Sequence, residues 1–133
     1  MKTQQPNEKE QDQKIRELLK LSDTLIKKLP RLVSNYPESY ILKARILACQ
    51  KKYNKSIKSI DLAIQAAEKY NGRLELSRAY LEMGKILLNP DVRQNKFNEL
   101  SAHDYLEKAK TLFEEMNLKY DLKEYNEFMN NMK

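Results

Sequence analysis

The stretch ESYILKARILACQKKYNKSIKSIDLA, residues 38–63, decides the fold. Its first half sets Tyr40, Ala44 and Leu47 at steps of four and three, the period of an amphipathic helix. Its second half does the same with Ser56, Ile60 and Ala63. Between them Lys51-Lys52-Tyr53-Asn54 reads as a tight link, with Asn54 as the expected N-cap. The small Ala44 lets a partner backbone approach, and the large residues above and below fill the gaps.

The same anatomy returns further along. SRAYLEMGKIL, residues 77–87, lines one helix with Tyr80, Gly84 and Leu87. AHDYLEKAKTLFEEM, residues 102–116, supplies a partner with Ala102, Leu106 and Ala109. Working outward, residues 11 to about 33 carry Ile15, Leu18, Leu19, Leu21, Leu25, Ile26 and Leu29 at helical spacing. Pro30 ends or kinks that helix, and Ser34-Asn35-Tyr36-Pro37 reads as a turn with Pro37 opening the next helix. Helices are expected over about 38–50, 55–70 and 74–88. Asn71-Gly72 stops the second of these, with glycine in the left-handed conformation. Residues 89–100 read as a polar connection, after which Ser101 and Asp104 form a capping box. Asp121 with Glu124 offers a cap for a last helix bearing Leu122, Tyr125, Phe128, Met129 and Met132. No alternating run asks for a strand. The expectation is an all-α chain of about six helices, with residues 1–9 disordered and residues 10–133 forming one domain.

Composition narrows the function classes. With 2 Gly, 4 Pro and no Trp in 133 residues, the turns of a β-sandwich and the glycine-rich loop of a phosphate binder are excluded. The 25 basic and 19 acidic residues give a formal charge of +6, which suits an acidic partner or simply a soluble lysine-rich surface. Lys51, Lys52, Lys55 and Lys58 form the densest basic cluster, too short for a dedicated nucleic-acid stripe. The lone Cys49 forms no internal disulfide, and Leu47 and Ala48 beside it suggest a buried or half-buried thiol. The polar N-terminus is no secretory signal, and no run approaches the ~18 apolar residues of a membrane span, so the cytoplasm is the expected location.

The two helix pairs resemble the tetratricopeptide repeat family over about residues 37–132. The residues that carry the resemblance are Tyr40 to Leu47 with Tyr53 to Ala63, Ser77 to Leu87, and Ala102 to Met116 followed by NLKYDL. The 40 positions from Tyr40 to Tyr80 resemble the extended-helix subtype of bacterial peptide-sensing regulators. The family's tryptophan and its proline after the second helix are missing here. The resemblance implies a superhelix of antiparallel hairpins whose first helices line a concave groove. The groove positions are then Ile41, Arg45, Arg78, Leu81, Lys85 and Asn89, with Glu38, Ala48, Cys49 and Leu88 beside them. Three cations on an apolar floor, Arg45, Arg78 and Lys85, fit a peptide with acidic residues or a free carboxylate. Ile41 and Arg45 stand where chaperone-binding members need lysine and asparagine, so that partner is not expected.

Catalysis is not expected. Glu114 and Glu115 point to different sides of a helix, and Glu107 and Glu114 stand two turns apart. His103 is the only histidine, so one His and one Cys are too few for a metal, and no cofactor is implied. The function expected is non-catalytic binding of a protein or peptide. The alternatives are a structural or oligomerisation module and, third, a basic nucleic-acid-associated protein. The last helix reads as a seal on the final repeat or as a surface for a second copy.

Overall fold

A computed structural model describes residues 8–28 and 36–132. Among them are six helices: α1 Glu8–Lys28, α2 Pro37–Cys49, α3 Tyr53–Lys69, α4 Arg73–Leu87, α5 Ala102–Glu115 and α6 Lys119–Asn131. The class is all-α, as the periodicity predicts. The ends foreseen at Pro30–Val33 and the turn at Ser34 and Asn35 lie outside the described residues. Of the segment 1–9 expected to be disordered, Glu8 and Lys9 belong to α1 and the others lie outside the described residues.

Three links are built alike. Gln50–Lys52, Tyr70–Gly72 and Met116–Leu118 each join two helices with three residues. The middle residue is left-handed in each: Lys51 at φ 61°, Asn71 at 54°, Asn117 at 55°. The N–H of the third residue donates five residues back, Lys52 to the Leu47 carbonyl at 2.9 Å, Gly72 to Ala67 at 2.8 Å and Leu118 to Phe113 at 2.9 Å. This is the hydrogen-bond pattern of a Schellman end, and it folds each helix back on its predecessor.

The links correct three sequence expectations. Asn54 lies in the first turn of α3, whose N-cap Lys52 makes no side-chain cap bond. Gly72 has φ −80° and serves as N-cap of α4, while Asn71 takes the left-handed position that its short polar side chain tolerates. Asp121 lies within α6 rather than capping it. It is buried and bonded to Arg78. The Ser101–Asp104 capping box stands as expected, with Asp104 N–H donating to Ser101 Oγ at 3.2 Å and Ser101 N–H to Asp104 Oδ2 at 2.8 Å.

The connection between α4 and α5 holds an unforeseen hairpin. β1 Lys96–Phe97 pairs antiparallel with β2 Leu100–Ser101 across the two-residue turn Asn98-Glu99, both left-handed. Two residues per strand are too few to show an alternation. Packing fixes the hairpin instead: Tyr105 Oη donates to the Phe97 carbonyl at 2.8 Å, and Val92, Phe97 and Leu100 lie on the core. Cys49 is a further correction, because it is exposed. Ile41, Ala44 and Ala48 form the stripe that faces inward, and the next residue falls about a quarter-turn away.

Two clusters make the core. The larger joins α2 to α5 through Ala44, Ile57, Ile60, Ala63, Ala79, Met83, Ile86 and Ala102. The smaller joins α4, α5 and α6 through Leu81, Leu106, Ala109, Phe113 and Tyr125. Small residues set the spacing. Ser56 Oγ donates to the Ala44 carbonyl at 2.6 Å and Ser59 Oγ to Tyr40 at 2.8 Å, so α3 is stitched to the α2 backbone. At Gly84 a Cβ would lie 2.5 Å from Leu106 Cγ and 3.2 Å from the Ala102 carbonyl oxygen. The couples α2/α3 and α4/α5 pack with α4 against both α2 and α3, and α6 lies on α5.

Candidate functional site

The helix stacking leaves a trough of about 430 Å³ between α2, α4 and α6. α2 presents Glu38, Ile41, Leu42 and Arg45 to it, a run of steps of three and four along one helix face. α4 presents Arg78, Leu81 and Glu82, and α6 presents Tyr120, Asp121 and Glu124. Ile41 and Leu81 are buried and make an apolar floor, whereas Leu42 and Tyr120 are exposed at the edges.

Ion pairs tie the walls together. Arg45 on α2 donates to Glu82 on α4, Nε at 2.9 Å and Nη2 at 2.6 Å, both to Oε1. Arg78 on α4 donates to Asp121 on α6, Nε to Oδ1 at 3.0 Å and Nη2 to Oδ2 at 3.4 Å. Asp121's side chain is 6% exposed, so Arg78 neutralises a carboxylate that has lost its water. Those hydrogen bonds, with the charges of Asp121, Glu38 and Glu75, push the Arg78 pKa upward. Glu38 approaches Arg78 only to 3.9 Å and stays largely exposed.

Four of the six groove residues named from the sequence meet here: Ile41, Arg45, Arg78 and Leu81. Lys85 and Asn89 do not line the trough. The Lys85 ammonium sits 5.4 Å from the Phe128 ring centroid, and Asn89 Oδ1 accepts from Asp91 N–H at 2.9 Å. Sequence reasoning missed Leu42, Glu82, Tyr120, Asp121 and Glu124. Glu82 had a signal, because it follows Arg78 by four residues and so shares its face. The α6 residues had none, since nothing local says where a terminal helix crosses.

A second groove of about 550 Å³ runs over α4 and α5, lined by Leu76, Tyr80, Leu100, Asp104, Glu107, Lys108, Thr111 and Leu112. Its tyrosine is capped by the Lys108 ammonium at 5.6 Å. His103 on α5 and Cys49 on α2 are both exposed. Among the described residues no three His, Cys, Asp or Glu side chains group as a metal site. No helix among them is long and apolar enough to cross a membrane.

The chain was compared with protein-family models, curated proteins and solved structures, and it matches none of them.

Proposed function

We propose that this chain is a non-catalytic, protein-binding helical-repeat module of tetratricopeptide type, whose partner segment lies in the trough between α2, α4 and α6. One observation carries the reading. The trough is open, floored by Ile41 and Leu81, and its walls are already braced by Arg45–Glu82 and Arg78–Asp121. A pre-braced surface loses little conformational entropy when a peptide lies on it. We place its action in the cytoplasm, where an exposed lone thiol such as Cys49 stays reduced.

The competing reading is a structural module without a ligand. It is favoured by those ion pairs, which occupy two of the three cations once assigned to a ligand. The face of α6 assigned to a second copy is also largely used within the chain, where Phe128 and Met129 pack on the smaller core.

Selection from a random displayed-peptide library, followed by amide chemical-shift mapping of the tightest peptide, tests the reading. Shifts concentrated in residues 38–45, 78–82 and 120–124 are expected. Shifts confined to the groove of Leu76 and Leu112, or no selected peptide at all, would remove the trough as the binding site.

A further inference from the structure

We propose that the trough takes a cationic partner segment, a lysine or arginine with apolar neighbours, rather than the acidic one its arginines suggest. This rests on the binding reading above and adds the ligand's charge.

Both arginines are engaged by the protein's own carboxylates. Arg45 directs two nitrogens at Glu82, and Arg78 forks onto Asp121. An incoming carboxylate would meet cations whose charge is already neutralised, and one that displaced Asp121 would strand a buried charge. It would also enter a site where four carboxylates face two guanidiniums.

Two of those carboxylates remain for a ligand. Glu38 on α2 is exposed and its nearest cation is 3.9 Å away. Glu124 on α6 is half-buried and has no ion-pair partner among the described residues. Between these walls lie the means of holding a long cationic side chain. Leu42 is exposed at the edge and covers an aliphatic stem. Tyr120, 70% exposed, supplies an aromatic ring at the trough edge for the charged head. The local charge thus opposes the global one of +6, which by itself attracts acidic ligands.

The test uses two fluorescein-labelled leucine/alanine peptides that differ only in carrying lysines or glutamates. Binding to the full chain is read by anisotropy at physiological salt, with amide shifts locating each peptide. The lysine peptide is expected to bind about tenfold more tightly. Replacing both acids, E38Q/E124Q, is expected to weaken it about tenfold, at ~2- to 5-fold for each charge. The Glu107→Gln control, in the other groove, is expected to change nothing. Equal or tighter binding of the glutamate peptide within the trough overturns the charge assignment and leaves the binding reading intact. Shifts from both peptides outside residues 38–45, 78–82 and 120–124 overturn both. So does the absence of binding by either peptide at about 1 mM. Lysine-peptide affinity unchanged in E38Q/E124Q overturns the charge assignment alone.

Discussion

Tyr105 shows what one residue does for the larger core. The residue is 2% exposed, its ring is tilted against Tyr80 at 6.0 Å between centroids, and its hydroxyl donates to the Phe97 carbonyl. Burial first, then the charges near Asp61 and Tyr80, pushes its pKa up to about 12. Folding therefore favours the neutral phenol. The stability this contributes is full below the unfolded value of roughly 10 and drains away as the pH rises towards about 12. Urea unfolding across that range should show a falling midpoint, with a shallower fall in Tyr105→Phe. Burial raises Tyr80 and Tyr125 as well, so the slope should shrink without vanishing. At neutral pH the variant should lose about 1 kcal/mol with its hydrogen bond. An identical alkaline slope in both proteins would contradict this account. None of it was legible in the sequence, where Asp61 and Tyr80 lie far along the chain from Tyr105. Arg45 and Arg78, by contrast, were named from the sequence, as positions that the resemblance sets on the inner face of their helices. Their carboxylate partners were not, because Glu82 and Asp121 lie 37 and 43 residues away.

At the scale of the helix, small side chains decide how closely neighbours lie. Gly84→Ala gains about 1 kcal/mol of helix propensity on α4. Its new methyl meets the Leu106 branch point, and overpacking of that kind costs typically 1–3 kcal/mol. We expect a net loss of about 1 kcal/mol in urea unfolding. A gain in stability would mean that α4 and α5 lie further apart than the structure places them. The helices themselves were legible because runs such as Tyr40–Leu47 are long enough for a period to show. Their ends were legible only in part. Ser101 and Asp104 announce a cap through side chains, whereas the left-handed Lys51 carries no local mark. The hairpin at Lys96–Ser101 was hidden for a related reason. Asn98-Glu99 lacks the glycine that normally signals such a turn, and contacts with Tyr105 and the core hold it instead.

For the whole molecule, the smaller core depends on the last helix. Leu81, Leu106 and Phe113 are closed over by Tyr125, Phe128 and Met129 of α6. A chain ending at Asn117 should lose stability on the order of 5 kcal/mol, at ~1.5–3 kcal/mol per uncovered large side chain. Calorimetry should show a lowered and broadened transition, and a hydrophobic dye should bind the truncated chain but not the full one. An unchanged transition would show that α6 adds nothing to the stack. The same truncation removes Asp121, so it also unlocks Arg78 from the trough wall. The four connections from α2 to α6 differ in how much slack they hold. Three are only three residues long and are committed to helix-ending bonds, so inserted sequence there would pry neighbours apart. The hairpin is different, for its strands run side by side up to Asn98 and Glu99. A guest polypeptide spliced between those two residues would leave and rejoin its host at adjacent points, giving this small protein a natural place to carry cargo.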